Sequence, residues 1–276
     1  MGETPTFSLG TDRRNGAANR ASMAERRLTA SAIARRKGKA FPVVTAYDAA
    51  FARCAEAAGI DVILVGDSLG MVMLGYDSTV PVDLCDMARH GGAVARGTRR
   101  AHVIVDLPFG SYEASDADAV RASVELVKAG ATSVKLEGGV RVANRIAAIV
   151  RAGIPVCGHI GVTPQTAGAA TGFRSQTDRD AILADAEAVE AAGAYAVVLE
   201  MVAADVATGV TGRLKIPTIG IGSGGQTDAQ VLVMHDALGL YDDAPPFAKR
   251  FAEIATAATE GFRAYAEAVR SRAFPA

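Results

Sequence analysis

Cysteine is scarce: Cys54, Cys85 and Cys157 are odd in number, widely spaced and form no CxxC pair. That argues against a disulfide framework or a structural zinc site and predicts a reducing compartment, the cytoplasm. Long apolar runs are missing as well. Nothing approaches the roughly 18 residues of a membrane span, and no signal-peptide core precedes a small-residue cleavage site, so a soluble chain that is not exported is expected. There is no excess of charge of either sign, with 29 Lys plus Arg against 30 Asp plus Glu. No net field recruits nucleic acid or an anionic membrane, and the expected partner is a small molecule.

What is present is a chain of 276 residues, half of them hydrophobic, enough to bury a sizeable core. Residues 1–38 are rich in Arg, Ala, Ser and Thr, the composition of a transit peptide, but Glu3, Asp12 and Glu25 interrupt the basic character and a loose N-terminal tail is expected. Within it, Met23–Lys37 reads as a helix with a solvated basic face. From residue 39 onward, short β-rich apolar runs alternate with Ala/Glu/Arg stretches, the pattern of parallel βα units. The runs are Pro42–Tyr47, Val62–Gly66, His102–Leu107, Ser133–Leu136, Pro155–His159, Ala196–Leu199, Pro217–Gly220 and Gln230–His235, eight in all. Helices are expected at Ala49–Ala58, Asp116–Lys128, Val140–Arg151 and Asp178–Ala192, each followed closely by a glycine suited to a C-terminal cap. A last helix, Pro246–Arg272, places Phe247, Phe251, Ile254, Ala258, Phe262 and Tyr265 at helical spacing and is expected to complete an outer ring. Strands that are apolar throughout are buried on both faces. A doubly wound sheet shares that trait, but eight units predict a single-domain (β/α)8 TIM barrel over residues 39–276.

In such a barrel, chemistry sits where the strands end. The second run ends in Gly66-Asp67-Ser68 and the third in Asp106-Leu107-Pro108. The fourth ends in Lys135-Leu136-Glu137-Gly138-Gly139, the fifth in Gly158-His159 and the sixth in Leu199-Glu200-Met201. Four carboxylates and a lysine in one mouth are costly unless compensated, and Mg²⁺ takes one or two carboxylates while keeping waters and leaving room for substrate oxygens. Asp67 and Asp106 are the natural pair of direct ligands, with Glu137 holding a water on the metal.

Plainer readings stand beside this one. Asp67 taken alone is as readily a helix N-cap, whereas Asp106 precedes Pro108 and starts no helix. Lys135 and Glu137, two apart and on one face, read alternatively as an ion pair closing the mouth. His159 reads as a satisfied core histidine. Glu200, after four apolar residues, is a costly buried charge unless it has a task. The segment Gly220-Ile221-Gly222-Ser223-Gly224-Gly225 is compatible with a phosphate cradle, though tight turning accounts for it as well.

Eight ordered stretches between about Pro42 and Pro275 resemble the ketopantoate hydroxymethyltransferase family of the phosphoenolpyruvate/pyruvate barrel superfamily. They are Thr45-Ala46-Tyr47-Asp48, Leu64-Val65-Gly66-Asp67-Ser68-Leu69-Gly70, Asp77-Ser78-Thr79-Val80-Pro81, Asp106-Leu107-Pro108-Phe109, Val134-Lys135-Leu136-Glu137-Gly138-Gly139, Gly158-His159-Ile160-Gly161, Thr163-Pro164-Gln165 and Gly220-Ile221-Gly222. The resemblance implies Mg²⁺-dependent transfer of a hydroxymethyl group from 5,10-methylenetetrahydrofolate to 3-methyl-2-oxobutanoate, giving 2-dehydropantoate for pantothenate synthesis. It implies one Mg²⁺ per subunit held by Asp67, Asp106 and Glu137. Substrate contacts fall to Ser68 and Lys135 beside the two aspartates, Glu200 matches the general base, and His159 lines the site. It also implies a homo-oligomer, commonly a decamer.

Between Pro164 and Ala181 the chain is shorter than the family pattern. A loop after the fifth strand borders the barrel mouth as a lid or cosubstrate contact. That departure keeps open a paralogue using the same chemistry on another 2-oxo acid and, in another class, a non-catalytic subunit of an oligomer. Retention of all five charged residues speaks against the latter.

Overall fold

The structure, a computed structural model, describes residues 26–170 and 174–275. Eight strands, β1 (Phe41–Thr45), β2 (Val62–Val65), β3 (His102–Asp106), β4 (Ser133–Glu137), β5 (Val156–Gly161), β6 (Ala196–Glu200), β7 (Thr218–Ile221) and β8 (Ala229–Leu232), pair in chain order, and β1 pairs with β8. Every pairing is parallel, so the sheet is a closed (β/α)8 TIM barrel. Helices among the described residues are α1 (Ala30–Ala34), α2 (Ala49–Ala57), α3 (Leu69–Val72), α4 (Leu84–Gly97), α5 (Asp116–Ala129), α6 (Ala143–Arg151), α7 (Pro164–Ala170), α8 (Arg179–Ala191), α9 (Ala204–Arg213), α10 (Met234–Leu238) and α11 (Ile254–Arg270). None of them is long and apolar enough to cross a membrane. The three cysteines are free.

Side-chain alternation divides the strands between two apolar layers. Val103, Val105, Val134, Leu136, Val156, Ile160, Val197 and Leu199 belong to the layer packed under the helices. Val43, Val62, Leu64, Ile104, Cys157, Ala196, Val198, Ile219 and Val231 fill the barrel. Counting along the same inward face carries β3 through His102 and Ile104 to Asp106, β4 from Ser133 to Lys135 and Glu137, and β5 from Cys157 to His159. The interior thus has a polar floor, an apolar belt and a charged rim. At the floor, His102 Nε2 lies 2.8 Å from Ser133 Oγ and 2.9 Å from Tyr195 OH, and its Nδ1 lies 2.9 Å from the Leu28 carbonyl.

The helix expected over Met23–Lys37 is confined to Ala30–Ala34, capped by Thr29, and residues 1–25 lie outside the described residues. This segment is not loose where it is described. Ile33 is fully buried among the interior residues, and the Arg27 guanidinium donates to the carbonyl of Ala95 in the last turn of α4 and to those of Thr98 and Ala101 beyond it. The run expected over Gln230–His235 is a strand only to Leu232, after which Met234 and His235 open α10. The C-terminal helix spans Ile254–Arg270 rather than Pro246–Arg272 and does not complete the ring. It buries no residue, and Phe262 and Tyr265 are 74% and 58% exposed. Helical spacing shows that a stripe is apolar but not what covers it.

One glycine fixes how β5 ends beside β6. Gly161 has φ +95°, and a Cβ there would sit 2.3 Å from the Glu200 carbonyl oxygen. Gly161→Ala is expected to cost about 2 kcal/mol or more in backbone strain alone, lowering the unfolding midpoint by about 4–8 °C in a calorimetric scan.

Candidate active site

The rim residues meet. Asp106, at the end of β3, receives the Asp67 backbone N–H on Oδ2 at 3.2 Å and the Lys135 ammonium on the same oxygen at 3.0 Å. Lys135 Nζ lies 3.2 Å from His159 Nδ1, and that nitrogen faces Glu137 Oε1 at 3.4 Å. His159 Nε2 lies 3.3 Å from Glu200 Oε2. Ser68 Oγ hydrogen-bonds the Tyr47 hydroxyl at 2.9 Å. Gly66 keeps the floor of this corner open, since a Cβ there would lie 2.8 Å from Ser68 Oγ and 3.6 Å from Asp106 Oδ2. All seven residues singled out from the sequence, Asp67, Ser68, Asp106, Lys135, Glu137, His159 and Glu200, therefore share one mouth.

Several simpler readings give way. Asp67 caps no helix, because the residue preceding α3 is Ser68, whose side chain makes no cap bond. Lys135 pairs with Asp106 rather than with Glu137. His159 is no bystander, with a carboxylate near each ring nitrogen. Glu200 is not fully buried among acids, since its side chain is 20% exposed and its close charged neighbour is His159. In the glycine-rich turn after β7, Ser223 donates to the Leu199 carbonyl and accepts from Val202 N–H, while Gly222 and Gly224 take positive φ. Tight turning accounts for that segment. The stretch between α7 and α8, expected to act as lid or cosubstrate contact, lies outside the described residues at 171–173.

Burial dominates the electrostatics. It pushes the Asp67 carboxyl up to about 8, and the charges of Asp106 and Glu137 add to the effect. Burial also raises Asp106, although Lys135 opposes it. Burial and then the Lys135 charge work against a His159 imidazolium, but Glu137 and Glu200 outweigh them and lift it to about 9. Burial disfavours the Lys135 ammonium too, yet Asp106, Glu137 and Asp67 more than restore it. With His159 protonated, its Nδ1–H is directed at Glu137 and its closeness to Lys135 is a like-charge contact that Asp106 offsets. Ionising all four carboxylates against one ammonium and one imidazolium would leave two negative charges in excess, a cost that adds to burial in keeping the proton on Asp67.

Asp106 Oδ1 is buried and has no hydrogen-bond partner. Among the described residues no three His, Cys, Asp or Glu side chains form a ready ligand set. Mg²⁺ needs only one or two carboxylates and fills its octahedron with water and substrate oxygens, so the partnerless Asp106 Oδ1 is the observation that bears on such an ion. The residues fit such an ion. Two further residues complete the site without any signal in periodicity or charge. Gln165, in α7 after β5, and Tyr112, in the loop after β3, are both buried and hydrogen-bond each other at 2.5 Å. The stretch Thr163-Pro164-Gln165 just past the fifth strand is the cue the sequence offers for Gln165.

The family profile described as "Ketopantoate hydroxymethyltransferase" matches residues 27–276. A 3-methyl-2-oxobutanoate hydroxymethyltransferase of Ignicoccus hospitalis is 51% identical over 87% of this chain and 93% of its own. Another from Chloroflexus aurantiacus is 54% identical over 87% of both. Among solved structures, a 2,3-dimethylmalate lyase of the PEP mutase/isocitrate lyase superfamily superposes with TM-score 0.59 at 17% identity, covering 88% of each chain. A phosphonopyruvate hydrolase complex with oxalate and Mg²⁺ does so with TM-score 0.59 at 16% identity, again over 88% of each chain. At such identities these two show the shared fold.

A raised carboxyl pKa has a measurable sign. The folded protein keeps the Asp67 proton up to about pH 8, whereas the unfolded chain releases it near the ordinary value of 3.8. This contribution to stability is therefore present below about pH 4 and is lost as pH rises toward 8. In protein stripped of divalent cations, Asp67→Asn is expected to flatten that decline and to unfold at a higher temperature than wild type at pH 8.5. A wild-type slope of midpoint against pH in the variant would contradict the charge excess.

Proposed function

Because this chain belongs to the ketopantoate hydroxymethyltransferase family, we propose that its barrel mouth transfers a one-carbon unit from 5,10-methylenetetrahydrofolate to 3-methyl-2-oxobutanoate with Mg²⁺ bound by Asp67 and Asp106. The chain is a hydroxymethyltransferase of that family, and the relatives' reaction is the one their names give. The observation that carries the finer reading is Asp106 Oδ1, a buried carboxylate oxygen without a partner in a cluster that holds more carboxyl groups than cationic side chains. Asp67 and Asp106 would hold the ion and Glu137 would hold a water beside it. When bound, Mg²⁺ supplies Lewis-acid polarisation of a 2-oxo acid.

The protein groups then divide the work. Ser68, its hydroxyl fixed by Tyr47, hydrogen-bonds the substrate carboxylate. Lys135, held charged by the acids around it, faces the ketone oxygen, where negative charge develops. Glu200, the one acid of the four open to the mouth, takes the proton from C3. His159 anchors the far side of that carboxylate. The electron pair released at C3 spreads onto the ketone oxygen and forms the new bond to the donor's methylene carbon. One of the two C–N bonds of that methylene breaks as the C–C bond forms, and water replaces the second nitrogen and supplies the hydroxyl oxygen; the two nitrogens take up the proton held by Glu200 and one from the water, and 2-dehydropantoate and tetrahydrofolate leave.

We infer also that the chain assembles with copies of itself. A helix with Phe262, Tyr265 and Val269 exposed and nothing buried is the kind of apolar face that a second subunit covers.

Incubation with Mg²⁺ and both reactants in D₂O should yield 2-dehydropantoate only when Mg²⁺ is present. Deuterium exchange at C3 without product would keep the proton-abstracting machinery and reject the folate donor, and silence in both would reject the site. Glu200→Gln is expected to lower kcat by about 10²–10⁴-fold while leaving Mg²⁺ binding intact. Light scattering should find an oligomer that Phe262→Lys with Tyr265→Lys shifts toward smaller species, and a wild-type monomer would rule the assembly out.

A further inference from the structure

Gln165 stands one residue into α7 and is 3% exposed. Its side-chain Nε2 donates to Asp67 Oδ2 at 2.8 Å and to the Leu107 carbonyl at 2.9 Å. Its Oε1 accepts from the Tyr112 hydroxyl at 2.5 Å, and its backbone N–H donates to Glu137 Oε2 at 3.1 Å. Asp67 follows β2, Leu107 and Tyr112 follow β3, and Glu137 ends β4. A single residue carried by the segment after β5 therefore ties together the mouths of the three preceding βα units. The amide has one orientation, because a peptide carbonyl can only accept and the phenol must then be the donor to Oε1.

We infer that Gln165 is a positioning residue that sets the spacing of Asp67 and Glu137 and decides which oxygen each presents. Its amide occupies Asp67 Oδ2 and its backbone occupies Glu137 Oε2, while Glu137 Oε1 faces His159. Asp67 thus has Oδ1 to offer, and the two acids reach a cation already oriented. Hydrogen bonds behind ligating groups commonly change metal affinity by about 10–100-fold. Tyr112 belongs to the same device, since without its hydroxyl Oε1 loses its donor and the amide is held only through Asp67 and Leu107. The inference rests on the metal reading of this mouth.

The test is binding of Mn²⁺ to the full chain without substrate, read from the electron paramagnetic resonance signal of free Mn²⁺ and compared with unfolding midpoints. Gln165→Leu is expected to raise the Mn²⁺ Kd by about 10–100-fold, and Tyr112→Phe, which removes one oxygen and leaves the packing, by a smaller factor in the same direction. The double variant should bind no more weakly than Gln165→Leu alone, because both act through one link. Arg27→Ala, which loosens the opposite end of the barrel, should lower the midpoint and leave Kd unchanged. Asp67→Asn separates the two ideas. If it abolishes Mn²⁺ binding while Gln165→Leu and Tyr112→Phe bind as wild type, the role of Gln165 is overturned and the metal site stands. If wild type fails to bind Mn²⁺, or Asp67→Asn binds unchanged, the metal reading falls and takes this inference with it. Should Gln165→Leu not fold, Tyr112→Phe decides alone.

Discussion

A ring of eight parallel strands closed on itself leaves an inward side chain nowhere to go but toward its counterparts. Alternation then does the rest: Asp106, Lys135, Glu137 and His159 fall on inward positions in two successive steps of the parallel register, Asp106 opposite Lys135 and, two residues further along β4, Glu137 opposite His159. Glu200 pairs one step further, against Gly161, whose lack of a Cβ permits the approach. The closeness of these charges is thus a property of the sheet, and no loop has to fold correctly to produce it.

That concentration of charge is unfavourable in the protein alone. Neighbouring acids and burial hold protons on groups that would otherwise be ionised, and a lysine and a histidine are recruited to offset the remainder. In the reading proposed above a bound cation would relieve this cost, while the packed barrel beneath carries the locally unstable rim. The apolar belt of Ile104, Cys157, Val198 and Ile219 beneath it keeps the dielectric low and separates the rim from the polar floor.

The parts legible in the sequence are the continuous apolar runs and the polar residues that end them. Each of the eight expected runs overlaps a strand, and the polar residues at their ends are the ones that meet. The last run was extended too far because Val233, Met234 and His235 continue its apolar character while the backbone turns helical. Periodicity also could not reveal that α11 leaves the barrel, since an apolar stripe looks the same under any cover. His159 was read as a core residue because its two carboxylate neighbours come from other strands. Gln165 falls in the Thr163-Pro164-Gln165 stretch, but its contacts with Tyr112 and Asp67 were illegible, because they join segments after three different strands and their convergence is set by the barrel.

The floor of the barrel has a consequence for traffic. Ile33 from the N-terminal segment and the His102, Ser133 and Tyr195 cluster fill the end remote from the charged rim. The barrel is closed at that end and packed through its apolar belt, so among the described residues the charged rim faces solvent from the opposite end, where the strands finish and the βα loops begin, and whatever binds the rim enters and leaves on that side.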